Sequence, residues 1–389
     1  MPELPLPPTG SMGPPAAYRH LRAECPVVRV RLPVGAPGWF VTRYADVRDL
    51  LADGRLIRPA VDAWPTGPAA GRAPQLITMM ELDGPRHQAL RSAVADAFSL
   101  RAIRERRPVI RRQADRVLDD FERGGGPGDL VTGFADLFPL LVVCELTGLP
   151  YEDRHAFFAP ADAALDVLIS QEERREAARW LREYLTELIA RKRRAPGEDL
   201  FTDLVRRLDA GRLSTDEVIV FGLSVLVAGY RTTTMFLANA VHQLLLRPAD
   251  LAALRADRGL LPGAVEELLR FVPVMNGAVV LLATEDITLH GTTIRAGEAV
   301  VPVIASANLD DTVFPRAAEL DLHRRHNPHL AFGRGTHNCF GAHLARATLE
   351  IGLEALLDRF PRLRLADGAQ IRWNDASPVK SPRTLPVQW

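Results

Sequence analysis

Residues 332–341 of the chain read Phe332-Gly333-Arg334-Gly335-Thr336-His337-Asn338-Cys339-Phe340-Gly341. This stretch holds one cysteine among three glycines, and a helix-like segment from Ala342 to Leu357 follows it directly. Glycine permits a positive φ and lets the backbone approach a bulky planar group. A loop of this kind can aim backbone N–H groups at the sulfur, and such donors favour the thiolate over the thiol. The stretch is therefore typical of a cysteine that serves as a metal ligand.

A buried structural cysteine in a tight turn is the alternative, because free cysteine is among the most buried residue types. The neighbouring residues argue against it. Six positions together resemble the haem-binding loop of the cytochrome P450 family: Phe332, Gly333, Gly335, His337, Cys339 and Gly341. From about Pro26 to Trp389 the chain is similar to the soluble bacterial members of that family. The resemblance implies a haem b whose iron is bound by Cys339, a thiolate that favours O–O cleavage.

The composition is that of an ordinary globular protein of 389 residues, 47% of them hydrophobic, which suffices for one large core or two domains. Lys plus Arg equals Asp plus Glu at 48 each, so no net field attracts the chain to nucleic acid or to a membrane surface. The three cysteines have no metal-ligand spacing, and their odd count argues against disulfides and for a reducing, cytoplasmic location. The proline-rich start, Met1 to Ala17, is typical of neither a signal peptide nor a membrane anchor.

The pattern of elements predicts a mainly α fold with a small β region and a long central helix. Residues 1–25 are expected to be a flexible segment, and residues 26–389 a single domain, because no repeat or linker divides them. Alternating residues from Val27 to Thr42 predict a hairpin, and Val272 to Val303 reads as short strands. The loop Pro59 to Pro74 would cover the substrate pocket by resemblance.

The long helix is predicted from Ser214 to Leu246, with a capping box at its start and Pro248 after its end. Small residues in its middle, Ala228 and Gly229, leave room beside it. Thr232 can return its hydroxyl to the carbonyl of Ala228 and loosen the helix there, which makes a groove for a diatomic ligand. The resemblance places the family's oxygen-binding notch here, with Ala228, Arg231 and Thr232 as catalytic residues; a threonine bonded only to its own helix is the alternative.

Arg231 departs from the family, which usually has Glu or Asp at this position to help bring protons to the oxygen site. Arginine stays protonated and cannot relay a proton as a carboxylate can. Two arrangements remain open. Arg231 turns away to pair with an acid elsewhere, or it points inward and holds an anionic or carbonyl-bearing substrate.

His87 and Arg91 stand four residues apart on one predicted helix face, where two such groups can bind an anion. An exposed, ion-paired face is the alternative. The resemblance implies that both hold the haem propionates together with His337, the more so because Leu281 stands where the family commonly has a propionate-binding arginine.

The resemblance implies roles for two further groups of charged residues. Glu267 and Arg270 form a commonplace i,i+3 pair, but with Arg324 they match a buried network that braces the cysteine loop. The segment Leu100 to Arg112 carries six arginines against a single Glu105. A solvated face is the plain interpretation, whereas the family docks an acidic electron-transfer protein in this region.

The predicted function is therefore a monooxygenase that uses dioxygen, a small organic substrate and electrons from a ferredoxin with its NAD(P)H-dependent reductase. Two other readings remain open: an oxidase that couples aryl or indole carbons, and a haem protein that binds a ligand without turnover. The substrate, the oligomeric state and the native redox partner cannot be predicted from the sequence, because fold does not assign chemistry.

Overall fold

The structure is a computed structural model, and it describes residues 13, 15–32, 36–59, 78–165, 170–272, 279–374 and 380–389. The α-helices within these ranges are α1 (Ala17–Glu24), α2 (Tyr44–Leu50), α3 (Gly84–Val94), α4 (Leu100–Arg123), α5 (Leu137–Thr147), α6 (Arg154–Leu165), α7 (Gln171–Arg194), α8 (Leu200–Asp209), α9 (Thr215–Ser224), α10 (Arg231–Leu245), α11 (Pro248–Ala256), α12 (Leu261–Phe271), α13 (Ile304–Ala307) and α14 (Ala342–Arg359). Helices thus dominate, as the sequence predicted.

The strands are short and fall in four small sheets within the described part of the chain. They are β1 (Val27–Arg31), β2 (Pro37–Val41), β3 (Leu56–Ile57), β4 (Gly128–Asp129), β5 (Leu281–Ala283), β6 (Ile287–Leu289), β7 (Thr292–Ile294), β8 (Ala299–Pro302), β9 (Arg364–Leu365), β10 (Arg372–Trp373), β11 (Pro382–Thr384) and β12 (Pro386–Gln388). The mainly α fold with a small β region is confirmed.

The largest sheet has the strand order β1-β2-β8-β5-β3 and contains the predicted hairpin. β1 and β2 pair antiparallel, with Val28 opposite Phe40. β2 then runs parallel to β8, where Phe40 meets Val301. Both residues are fully buried, since side chains of this type on a pleated surface gain most from packing between the sheet and its neighbours. Leu56 of β3 and Leu281 of β5 share a hydrophobic cluster with Leu330, two residues before the cysteine loop.

The long central helix is not continuous. A capping box of Ser214 and Glu217 starts α9, as predicted. Residues 225–229 are then π-helical, and α10 continues from Arg231. π-helical turns inside α-helices are often found at functional sites. The interruption coincides with the small residues that the sequence singled out.

The start of the domain differs from the expectation of flexibility up to residue 25. Residues 17–24 form α1, and the side chain of Tyr18 is buried against Phe40, with ring centroids 5.7 Å apart. Arg22 donates to the carbonyl and hydroxyl oxygens of Ser306, at 3.1 and 3.0 Å. These contacts involve the last residues of the segment that the sequence predicts to be flexible. The division into residues 1–25 and 26–389 otherwise stays a prediction.

The described helices include none that combines the length and the apolar character needed to cross a membrane.

Candidate functional site

The cysteine loop is held by its own backbone. The N–H of Cys339 donates to the carbonyl of Phe332 at 2.8 Å, and the N–H of Gly333 donates to Leu330 at 2.8 Å. Gly333 and Gly335 have φ values of +68° and +75°, a region that side chains with a Cβ rarely adopt. The loop thus has two glycines where its backbone requires them, and it presents Cys339 just before α14.

Opposing influences act on the thiol of Cys339. Burial raises its pKa, while a hydrogen bond from the N–H of Gly341 and the positive charges of Arg91 and Arg346 act to lower it. The residue nevertheless keeps part of its surface exposed. A bound group can therefore reach it. The donors around it favour the thiolate form once a metal is bound.

Side chains from the start of α3 meet the cysteine loop. Nε2 of His337 lies 2.8 Å from Oδ1 of Asp83, and the rings of His87 and His337 stack with centroids 4.4 Å apart. Arg91 donates through Nη2 to Oδ1 of Asn338 at 3.1 Å. Burial is the largest influence on both histidines and lowers the pKa of each. The three residues predicted to bind propionates, His87, Arg91 and His337, therefore lie together beside Cys339.

The groove in the long helix has the predicted local geometry. The hydroxyl of Thr232 donates to the carbonyl of Ala228 at 2.9 Å. Ala228, Gly229 and Thr232 are only half-buried, although the helix on either side of them is buried. A Cβ at Gly229 would make only ordinary contacts, the nearest at 3.4 Å from Val225. Open space therefore adjoins the helix at the point where its hydrogen bonding is loosened.

Arg231 forms an ion pair with an acid outside the long helix. Its Nη1 lies 3.3 Å from Oδ1 of Asp136, the residue before α5, and both side chains are partly exposed. Asp136 follows a second π-helical segment, residues 131–135. This is the arrangement in which Arg231 turns away to a carboxylate.

The cysteine loop and the segment before α3 each contact the long helix. The ring of Phe340 packs edge-on against Phe98 at 4.8 Å and lies 6.0 Å from Phe221 of α9. The N–H of Met79 donates to the hydroxyl of Ser224 at 2.8 Å, immediately before the π-helical segment. The segment that leads into α3 thus touches α9, while α3 itself touches the cysteine loop.

The charged network lies under the loop. Arg270 makes two hydrogen bonds to Glu267, at 2.7 and 2.8 Å, and Arg324 adds a third at 3.0 Å. Arg270 also donates to the carbonyl of Asn308, whose side chain accepts from the N–H of Leu330 at 2.7 Å. A buried ion pair is tolerated when further hydrogen bonds satisfy its members. The contacts run from the network to the start of the loop.

A second charged group was not foreseen from the sequence. Glu266 accepts two hydrogen bonds from Arg346, at 2.7 and 2.9 Å, and lies 3.0 Å from Nε2 of His329. The guanidinium of Arg346 lies 4.5 Å from the ring centroid of Phe332. Two adjacent acids, Glu266 and Glu267, therefore face two different networks. Their adjacency was visible in the sequence, but a helix period alone does not show which acid faces which partner.

The arginine-rich segment is the first half of α4. Arg107 makes a bidentate pair with Glu350 of α14, at 2.9 and 3.1 Å. Arg111 lies 3.0 Å from Asp115, and Arg101 lies 3.0 Å from Glu105. Three arginines of the segment have no carboxylate partner among the described residues: Arg104, Arg106 and Arg112. Fewer arginines of this segment are unpaired than its sequence suggests.

Other predictions fall on residues outside the description. The loop Pro59 to Pro74 lies there except for Pro59. Leu281 is described and buried in β5.

The donor set identifies the kind of metal group that fits. Among the described residues no cluster of three or more His, Cys, Asp or Glu side chains can hold a metal ion. Cys339 offers a single soft sulfur from one side, which suits an iron whose other ligands belong to a planar macrocycle. His87, Arg91 and His337 beside it suit the carboxylates of such a group. The residues present fit a haem.

Comparison with known proteins also indicates a haem protein. The family model for cytochrome P450 matches residues 151–378. Nocardicin C N-oxygenase of Nocardia uniformis subsp. tsuyamanensis is 44% identical over 376 residues, which cover 96% of this chain and 94% of the relative.

Two solved structures are similar to this protein over its whole chain. The LnmA cytochrome P450 hydroxylase from the leinamycin pathway of Streptomyces atroolivaceus S-140 has a TM-score of 0.90 at 39% identity, with both chains covered completely. SgvP, a putative thioether synthase of griseoviridin tailoring, has a TM-score of 0.93 at 36% identity, covering 100% of this chain and 99% of the other. The chain therefore belongs to the cytochrome P450 family and is a haem b monooxygenase.

Proposed function

We propose that this enzyme oxidises a small organic molecule of bacterial secondary metabolism, with dioxygen and with electrons from a ferredoxin and its NAD(P)H-dependent reductase. The observation that carries the proposal is Cys339, an exposed cysteine that lies between the N–H of Gly341 and the charges of Arg91 and Arg346. The names of the relatives support the substrate class, since they refer to nocardicin C, leinamycin and griseoviridin.

The residues at the site would divide the work as follows. Cys339 would bind the haem iron, and the loop residues Phe332, Gly333 and Gly341 would set its direction. His87, Arg91 and His337 would hold the propionates. The bound haem supplies the redox centre for dioxygen, which no side chain of the chain can provide.

The helix groove has a separate task. Ala228 leaves space beside the helix, and Thr232 has a hydroxyl that already donates to the carbonyl of Ala228. The oxygen of that hydroxyl can accept a hydrogen bond from a water at the same time. Arg231 would not relay protons, so Thr232 and water would deliver them. The network of Glu267, Arg270 and Arg324 would keep the cysteine loop in place.

The axial ligand is tested by Cys339→Ser. Serine is far harder to deprotonate and is a poor soft ligand, so the reduced protein under carbon monoxide should lose the wild-type difference spectrum. Cys25→Ser is the matched control, because Cys25 is an exposed cysteine away from the loop. A wild-type spectrum from the Cys339 variant would refute the assignment.

An oxidase that couples two carbons, or otherwise oxidises without inserting oxygen, is the second candidate. It is favoured by the similarity to SgvP, a putative thioether synthase, and by the absence of a carboxylate at residue 231. A screen of candidate compounds for a Soret shift would first find a ligand. Isotopically labelled dioxygen then separates the readings: oxygen in the product indicates a monooxygenase reaction, an unlabelled oxidised product indicates coupling, and no product indicates a binding protein.

A further inference from the structure

Arg58 directly follows β3, which pairs with β5, the strand that begins with Leu281. In the antiparallel pair of β3 and β5, Leu56 is opposite Ala283 and Ile57 is opposite Leu282. The next step of this register puts residue 58 opposite residue 281. Opposed residues of an antiparallel pair have their side chains on the same face. Arg58 is therefore the cross-strand neighbour of the position where the family commonly has a propionate-binding arginine and this chain has leucine.

The guanidinium of Arg58 has no ion-pair partner among the described residues. Its Nε is closed off from solvent and has no hydrogen-bond partner. Within the described ranges no carboxylate oxygen lies within 4.0 Å of it. Burial lowers the pKa of Arg58, and the charges of Asp83 and Glu81 only partly offset this. A cation that is buried without an anion is costly, so this environment favours an anionic ligand.

Asp83 is not that anion, because other donors already occupy it. One of its oxygens accepts from the backbone N–H of Arg58 at 2.6 Å. The other lies 2.8 Å from Nε2 of His337. Asp83 thereby fixes the backbone of Arg58 next to His337 and leaves the guanidinium for a different partner.

The place of Arg58 points to the partner. The backbone N–H of Arg58 and Nε2 of His337 contact the same carboxylate, that of Asp83, and the ring of His87 stacks on His337 with centroids 4.4 Å apart. His337 is two residues from Cys339. An anion that reaches Arg58 and both histidines is therefore next to the axial ligand, as a carboxylate of the macrocycle would be.

We propose that Arg58 binds a haem propionate and takes over, from the neighbouring strand, the task of the arginine that is absent at Leu281. This inference rests on the haem site proposed above. It adds a cofactor-binding residue that neither the motifs nor the resemblance indicated.

The test is the rate at which the substrate-free holoenzyme loses haem to an excess of a haem-scavenging apoglobin. Arg58→Gln should speed the loss about tenfold or more, since a hydrogen bond between charged groups is removed. Arg58→Lys keeps the charge and should stay within about threefold of wild type. Arg55→Gln is the matched control: Arg55 adjoins the same strand, is exposed and pairs with Asp53, so its loss should change nothing.

A second arm identifies the group that is bound. Apoprotein reconstituted with haem dimethyl ester has no propionate charge, so wild type and Arg58→Gln should then lose the macrocycle at equal rates. The proposal is overturned if Arg58→Gln loses ordinary haem within twofold of wild type, or if the ester shows the same difference as haem. An Arg58 that binds a substrate carboxylate instead would leave haem loss unchanged and weaken only the Soret titration. Failure of wild type itself to bind haem would refute the proposed function rather than the role of Arg58.

Discussion

Gly335 lies against the backbone of Leu51 so closely that a Cβ at residue 335 would be 2.6 Å from the carbonyl oxygen of Leu51. The Cα of Ala52 would be 2.9 Å away. Gly335 also has a φ of +75°. Conformation and space both require glycine here, and a backbone neighbour cannot rotate aside as a side chain could. The cysteine loop is thus fitted against the end of α2.

Gly335→Ala should destabilise the fold strongly for this reason. We expect a loss of about 2–5 kcal/mol in the free energy of unfolding, from the left-handed conformation and the overlap together. Gly297→Ala is the control, because Gly297 has a φ of +83° and open space around it. It should cost only the conformational part, about 1–2 kcal/mol. Urea unfolding of both apoproteins measures this, and equal costs would show that the contact with Leu51 yields without strain.

Glu266 gives the structure a pH dependence. Burial raises its pKa, but hydrogen bonds from His329 and Arg346 outweigh this and lower the pKa to about 2. The folded value lies below the unfolded value of about 4.3, so the stabilisation is complete above the unfolded pKa and is lost as the pH falls toward the folded one. The melting temperature of wild type should therefore fall more steeply from about pH 5 to pH 3 than that of Glu266→Gln.

The control for this titration is Glu105→Gln, which changes an exposed carboxylate. It should leave the slope of the wild type unchanged. A Glu266 variant whose melting temperature has the wild-type pH dependence would mean that its interactions with His329 and Arg346 persist in the unfolded chain or contribute nothing.

The structure reduces the set of α4 arginines that are expected to dock a ferredoxin. Arg107 is neutralised by Glu350, whereas Arg104 and Arg112 are exposed and have no carboxylate partner in the described part of the chain. Arg104→Gln with Arg112→Gln should slow reduction by an acidic ferredoxin at low salt and flatten its salt dependence, since exposed charges are screened over about 8–10 Å. Arg107→Gln should have the smaller effect. Unchanged kinetics in the double variant would remove this face from the docking surface.

What the sequence predicted well are features with local causes. The capping box of Ser214, the hydrogen bond from Thr232 to Ala228 and the strand alternation depend on residues close in sequence. The π-helical form of residues 225–229 was not predicted. A helix whose hydrogen bonding is loosened at Ala228 can adopt more than one backbone geometry.

Long-range partners were predicted only where a known family motif linked them. Asp136 as the partner of Arg231 lies 95 residues away, and no period or spacing relates the two. The same holds for Arg58 beside Leu281, which only the pairing of β3 with β5 reveals. The number of available acids and bases is large in a chain with 48 of each sign, so sequence alone cannot choose among them.

The pair of Arg231 and Asp136 allows a test of proton delivery. Arg231→Glu alone would put two carboxylates together and should cost about 1 kcal/mol or less, because the pair is partly exposed. Exchanging the charges, with Arg231→Glu and Asp136→Arg, keeps the pair and places on the long helix an acid that can exchange protons, which arginine cannot do. The exchanged variant should therefore form more product per electron consumed, with an unchanged substrate-induced Soret shift. The same exchange in the exposed pair of Asp203 and Arg206 is the control and should alter neither quantity. Substrate binding that is many-fold weaker, with coupling no better, would instead identify Arg231 as a substrate clamp.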